Sequence, residues 1–174
     1  MSSWLKTSND LLNPAVVMPH QSIDINTFSY EQQCAYDIVI NHSEQAFPKD
    51  PLLLIIIGVA GTGKSYLTNA IRNILQSSCA VTATTGEASN NIRGCTIHFL
   101  LKLPVGRKGN KDFSGQSFVR LQNNLKYIHY ILIDEYSLLG QNMLGWIDRR
   151  CKQATGFTDQ VFGGKAIILI GDPA

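Results

Sequence analysis

The feature that most constrains this chain is an uninterrupted apolar run at residues 52–57 that leads directly into a glycine-rich segment at residues 58–65. The run is short and rich in isoleucine, which predicts a buried β-strand. Apolar residues then recur at helical spacing, on the face formed by Leu67, Ala70, Ile71, Ile74 and Leu75. The segment between them fits the pattern G-x-x-x-x-G-K-S/T, and this strand–loop–helix order is the context in which such a loop binds phosphate.

Each part of the loop has a chemical role. Its glycines let successive backbone N–H groups turn toward phosphate oxygens, and the helix N-terminus adds partial positive charge. Lys64 can reach the β- and γ-phosphates, and the Ser65 hydroxyl can ligate Mg²⁺. A chance glycine-rich turn is the alternative, but every motif position and both flanks agree. The predicted nucleotide-binding residues are Gly58, Val59, Ala60, Gly61, Thr62, Gly63, Lys64 and Ser65.

A pair of carboxylates follows a second predicted strand. Residues 130–133 are apolar and end in Asp134 and Glu135. Asp134 can hold Mg²⁺ directly or through water, and Glu135 can orient the water that attacks the γ-phosphate. Carboxylates at strand ends are common on protein surfaces, but together with the loop upstream the pair predicts hydrolysis of the triphosphate. The predicted catalytic residues are Lys64, Asp134 and Glu135, and the predicted metal ligands are Ser65 and Asp134.

The rest of the pattern predicts an α/β domain. The spacing of Ser29 and Gln32 is that of a capping box and predicts a helix start. Further short strands are predicted at residues 79–83 and 166–170, and a helix around residues 139–151. Strands alternating with amphipathic helices favour a parallel sheet with helices on both faces. The last strand runs into Gly171 and Asp172, which form either a γ-phosphate sensor or an ordinary turn. We expect a flexible lead-in at residues 1–26, an ATP-binding domain at residues 27–174 and, inside it, a basic loop at residues 102–116.

Composition sets limits on the class of protein. The 174 residues, 44% of them hydrophobic, allow one substantial core. A formal net charge of +2 is too small to indicate nucleic acid by itself. The four cysteines are scattered without a C-x-x-C pair, which favours free thiols in a reducing compartment. No apolar run approaches the roughly 20 residues of a membrane span. We therefore expect a soluble intracellular protein.

From about residue 28 to residue 174 the chain resembles the first RecA-like half of the superfamily-one 5′-to-3′ DNA helicases of the Pif type (petite integration frequency), relatives of RecD. The resemblance rests on the order and spacing of motifs that generic P-loop ATPases lack. They are a Q-motif-like segment (28–32), motif I (58–65), a Thr-Gly motif (83–88), a Thr-x-His element (96–98), motif II (133–137), the stretch before motif III (148–150 and 162–165) and the start of motif III (171–172). Two positions depart from the family pattern: Ser89 replaces an alanine, and Phe99 stands where serine is common.

The resemblance implies an ATP-dependent DNA helicase of the type that acts in DNA repair, recombination or telomere maintenance, with Mg²⁺ as cofactor and ATP and single-stranded DNA as partners. It implies a nuclear protein, with the mitochondrion as the alternative. It puts Gln32 against the adenine and four residues along the DNA track: Thr85, Gly86, Thr96 and His98. Hydroxyls, backbone amides and imidazole suit sequence-independent contacts to phosphate and sugar. The alternatives are a turn with a helix cap at Thr85 and a core or surface role for His98.

Some family elements are absent from these 174 residues. The Gln-Leu-Pro-Pro that follows Gly-Asp in the family is missing, as are the second RecA-like domain and its arginines. We therefore expect the ATP-binding half of a helicase that hydrolyses little ATP in isolation. Alternatives are a catalytically inactive nucleotide- or DNA-binding fragment and a piece of a transposon-borne helicase. An unrelated P-loop kinase or transport ATPase is disfavoured, since no arginine-rich lid, membrane segment or transporter signature is present.

Overall fold

In the part of the chain that the structure describes, five parallel strands form one sheet. The computed structural model describes residues 23–103 and 114–173. The strands are β1 (Leu53–Ile57), β2 (Cys79–Ala83), β3 (Cys95–Thr96), β4 (Tyr130–Asp134) and β5 (Ala166–Gly171). Their order across the sheet is β1-β5-β4-β2-β3, and every neighbouring pair is parallel. The predicted strands are therefore confirmed, with ends that differ by one residue at most.

The described chain has six α-helices, of which the first precedes β1 and the others lie between strands. They are α1 (Tyr30–Glu44), α2 (Lys64–Leu75), α3 (Gly86–Asn91), α4 (Ile97–Leu101), α5 (Gly115–Leu125) and α6 (Gln141–Thr155). The predicted capping box of α1 is confirmed, because the backbone N–H of Ser29 donates to Gln32 Oε1 at 2.9 Å and the Ser29 hydroxyl accepts from the backbone N–H of Gln32. Single 3-10 turns lie at Ile25–Thr27, Gln76–Ser78, Tyr136–Leu138 and Val161–Gly164.

The sheet has a hydrophobic core on each face, as predicted. On one face α1 and α2 pack through side chains such as Val39 and Ile71. On the other face α4, α5 and α6 pack through side chains such as Leu101, Leu121 and Ile147. Ile74, which the pattern predicts on the core face of α2, lies nearly half exposed. The four cysteines are free thiols, as expected.

The prediction that residues 52–57 form a buried strand is wrong. The strand β1 lies at the edge of the described sheet and has β5 as its neighbour. Its side chains alternate, so that Leu54 and Ile56 pack on the α1–α2 core while Leu53, Ile55 and Ile57 are more than half exposed. An apolar run indicates a strand, but burial of both its faces requires elements packed over both sides of the sheet at that position.

Two predicted segments fall largely outside the described residues. For the lead-in, residues 1–22 are not described, and Asp24 contacts α2 because its backbone N–H donates to the Tyr66 hydroxyl at 2.9 Å. For the basic loop, residues 104–113 are not described, while α5 already begins at Gly115. Among the described residues, no helix is both long enough and apolar enough to cross a membrane.

Candidate nucleotide-binding site

The carboxyl ends of three parallel strands lie at the same end of the sheet and bring the predicted site residues together. The loop of residues 58–63 follows β1, Asp134 ends β4, and Asp172 follows β5. The strand β5 lies between the other two strands. Ile57 of β1 is in register with Gly171 of β5, and Asp134 of β4 is in register with Ile170 of β5. The backbone N–H of Gly58 donates to the Gly171 carbonyl at 3.2 Å, which joins the loop to β5. The loop thus meets Asp134 and Asp172, each more than 70 residues further along the sequence.

The glycine-rich loop has a backbone that side chains would disturb. Gly61 and Gly63 have φ of +83° and +80°, a region that residues with a Cβ rarely adopt. A Cβ on Gly63 would also lie 2.5 Å from the Gln32 amide nitrogen. The loop leads into α2, whose first turn has no capping side chain. Its free N–H groups and partial positive charge are suited to an anion.

The Lys64 side chain folds back over the loop. Its Nζ donates to the carbonyl oxygens of Gly58 at 2.7 Å and Val59 at 3.0 Å. It also forms an ion pair with Asp172 Oδ1 at 2.5 Å. The sequence indicated Asp172 only as a sensor or a turn, and it gave no sign of this contact with the lysine.

Gln32 joins α1 to the loop. Its Oε1 accepts from the backbone N–H of Ser29 in the capping box, and its Nε2 donates to the Thr62 carbonyl at 2.9 Å. The side chain is thus engaged at both ends with protein backbone. A contact between Gln32 and adenine, which the resemblance implies, stays a prediction.

The two carboxylates at the carboxyl end of β4, Asp134 and Glu135, differ in their surroundings. Asp134 is partly buried, and this burial raises the pKa of its carboxyl group, whereas the backbone N–H of Glu135 and the charge of Lys64 act in the opposite direction. Glu135 is exposed and has the left-handed backbone conformation, with φ +57° and ψ +44°. For a residue with a Cβ this conformation is strained, and such strain is concentrated at functional sites.

The four residues expected on a DNA track lie at or just after the carboxyl ends of β2 and β3. Thr85 and Thr96 cap helices, because their hydroxyls accept the backbone N–H groups of Ala88 and Phe99, both at 3.2 Å. Gly86 begins α3, and His98 lies partly buried in α4. The helix-cap alternative for Thr85 is therefore confirmed, although each capping hydroxyl keeps a hydrogen that it can donate.

The two departures from the family pattern fit the fold. Ser89 is buried, and its hydroxyl donates to the Gly86 carbonyl at 2.8 Å, so the extra polar atom is satisfied. Phe99 is partly exposed on α4, and Lys102 Nζ lies 4.3 Å from the centre of its ring. This distance is typical of a cation–π contact.

The fold and the loop geometry define a P-loop nucleotide-binding domain of the RecA-like type. The family model for PIF1-like helicases matches residues 27–174, and the chain belongs to this family. ATP-dependent DNA helicase PIF1 of Trypanosoma brucei brucei is 39% identical over 123 residues, which cover 69% of this chain and 12% of that protein. The helicase RRM3 of Saccharomyces cerevisiae is 32% identical over 124 residues, which cover 66% of this chain and 17% of that protein. The chain thus spans less than a fifth of the length of both relatives.

Solved structures show the same fold. Pif1 from Bacteroides sp in complex with ADP-AlF4 matches with a TM-score of 0.67 and 24% identity, over 83% of this chain and 32% of that chain. Unliganded Pif1 from Bacteroides sp matches with a TM-score of 0.65 and 27% identity, over 83% of this chain and 31% of that chain. The expected fold, a parallel RecA-like sheet with helices on both faces, is confirmed.

Proposed function

We propose that this chain is the ATP-binding part of an ATP-dependent 5′-to-3′ DNA helicase that acts in DNA repair, recombination or telomere maintenance, and that it works in the nucleus. The observation that carries the proposal is that the P-loop, Asp134 and Glu135 meet at the carboxyl ends of parallel strands in a chain of the PIF1-like family. In P-loop ATPases, catalysis comes mainly from positioning and electrostatic stabilisation, which this convergence supplies.

The P-loop residues 58–65 bind the triphosphate in this proposal. Their backbone N–H groups and the N-terminus of α2 contact phosphate oxygens, and Lys64 contacts the β- and γ-phosphates. Ser65 and Asp134 would hold Mg²⁺; both offer oxygen donors, the type that Mg²⁺ prefers, and Asp134 is charged and partly buried. When bound, the ion offsets negative charge on the phosphates. In this proposal Gln32, whose Nε2 donates to the Thr62 carbonyl of the loop, also contacts the adenine.

Glu135 orients the attacking water in the proposed reaction. It follows Asp134 directly and is exposed, so its carboxylate can accept a hydrogen bond from a water molecule. For DNA, we propose contacts by Thr85, Gly86, Thr96 and His98. Support comes from their common position after the carboxyl ends of β2 and β3. Further support comes from a related Bacteroides Pif1 whose structure was solved with single-stranded DNA bound.

The test uses a chimaera in which residues 27–174 replace the matching part of Bacteroides Pif1, a chain of which they cover 32%. We expect DNA-stimulated ATP hydrolysis and separation of a forked duplex. Glu135→Gln should still bind MgATP but hydrolyse it at least about 100-fold more slowly, since the group that orients the water is lost. Glu44→Gln, an equal change at the exposed end of α1, is the matched control and should leave hydrolysis unchanged.

Two outcomes would contradict the proposal. Near-normal turnover of Glu135→Gln would remove Glu135 from the catalytic role. A folded chimaera that binds MgATP but hydrolyses it no faster than its Lys64→Ala variant would favour the alternative, an inactive nucleotide-binding module.

A further inference from the structure

The ammonium group of Lys64 has all of its hydrogen-bonding capacity in use. A lysine ammonium has three donor hydrogens. In this structure Nζ has three acceptors within 3.0 Å: the carbonyl oxygens of Gly58 and Val59, and Asp172 Oδ1. A phosphate that is to accept a hydrogen bond from Lys64 must therefore take the place of one of these oxygens.

Asp172 is the acceptor that can yield most easily. The two carbonyls belong to the backbone of the loop, and Gly58 is also tied to β5 through its N–H. Asp172 contacts the lysine through a side chain that is 52% exposed, at the point where β5 has ended. Water can solvate this carboxylate once the ion pair opens, whereas a displaced loop carbonyl would require the backbone to move.

The charge of Asp172 also opposes an incoming phosphate. The carboxylate lies 2.5 Å from Lys64 Nζ, so a γ-phosphate that approaches the same nitrogen comes close to a like charge. Like charges at this range repel, and the repulsion is weakened by salt. Both effects, occupation of the lysine and repulsion of the anion, act against nucleotide binding.

We propose that Asp172 competes with the nucleotide phosphate for Lys64 and thereby lowers the affinity of the site for nucleoside triphosphates. This inference rests on the proposed function, because it assumes that Lys64 binds phosphate. It gives Asp172 a role different from that of a phosphate sensor: the carboxylate substitutes for the phosphate when the site holds no nucleotide, and it must leave Lys64 when nucleotide binds.

The experiment measures the affinity of the 174-residue chain for MgATP carrying a fluorescent ribose label, by titration at two salt concentrations. Asp172→Asn keeps the size of the side chain and removes its charge. At low salt it should bind the nucleotide about fivefold more tightly than wild type, the scale expected for losing a partly exposed ion pair. The difference should shrink at high salt, because screening weakens the competing ion pair.

Two further variants make the test specific. Asp159→Asn removes the same charge from an exposed turn that precedes the amino end of β5, away from the P-loop. It should change the affinity less than twofold. Asp172→Ala, which removes the carboxylate altogether, should reproduce the tighter binding if Asp172→Asn folds poorly. Thermal melting without nucleotide checks that each variant is folded.

The outcomes separate this inference from the proposed function. If wild type binds the labelled nucleotide and both Asp172 variants bind it equally well or more weakly, the competition is refuted while nucleotide binding stands. Weaker binding would mean that Asp172 assists the phosphate or its cation. If wild type and every variant fail to bind nucleotide, the proposed function and the competition are both overturned.

Discussion

The strands β1 and β4 have nearly the same apolar character and both lead into residues of the candidate site, but they differ in burial. In β4, which lies between β5 and β2, Ile131, Leu132 and Ile133 are fully buried. In β1, at the edge of the described sheet, every second side chain is exposed, and Ile55 is 55% accessible. The difference shows that burial of an apolar strand depends on its place in the sheet, which its own residues do not determine.

This difference affects how the two halves of the site are held. Asp134 is positioned by a central strand with a hydrophobic core on both faces. The P-loop follows a strand that is covered on one face, and polar contacts from other elements hold the loop. They are the Gln32 bond to Thr62, the Gly58 bond to β5 and the ion pair of Lys64 with Asp172. We infer that core packing fixes the position of Asp134 and that polar contacts fix the position of the P-loop.

The largest effect is expected from one substitution made in both strands. Ile133→Ala removes fully buried methyl groups and should lower the free energy of unfolding by about 2–5 kcal/mol. Ile55→Ala, the matched control in β1, should lower it by less than about 1 kcal/mol, since half of that side chain is already in water. Urea unfolding of the 174-residue chain measures both. Equal losses would contradict the comparison and mean that the outer face of β1 is covered in solution.

A smaller effect is expected where the P-loop is held by polar contacts. Gln32→Ala removes the bond to Thr62 and half of the capping box, and should weaken nucleotide binding about fivefold, equivalent to about 1 kcal/mol. The control is Gln33→Ala, one residue along α1, whose amide donates to Asp37 instead. It should leave the affinity unchanged.

The identity of the base separates two roles for Gln32. If the residue acts by holding the loop, labelled ATP and labelled GTP should lose affinity equally in Gln32→Ala. A loss confined to ATP would show that Gln32 contacts the adenine, as the resemblance implies, and that its bond to the loop contributes little.

The sequence allowed much of the fold to be predicted, where the determinants are local. The capping box at Ser29, the strand ends and the glycine-rich loop depend on residues within a few positions of each other. The edge position of β1 and the contact between Lys64 and Asp172 depend on pairing between segments more than 100 residues apart. No local pattern specifies which strands become neighbours, so neither feature could be predicted. The helix α5 was not predicted, although Leu121 and Leu125 recur at helical spacing on its buried face and are a local signal that could have indicated it.

In the proposed function, the loop of residues 58–65 binds nucleotide phosphates through Lys64. The most direct measurement is titration of the 174-residue chain with fluorescently labelled ATP in the presence of Mg²⁺, for wild type, Lys64→Ala and Lys126→Ala. Loss of a charged donor to phosphate should weaken binding at least about tenfold in Lys64→Ala. Lys126→Ala, at the end of α5, removes an equal charge away from the loop and should bind as wild type does. Equal affinity of wild type and Lys64→Ala would show that Lys64 does not bind the phosphates.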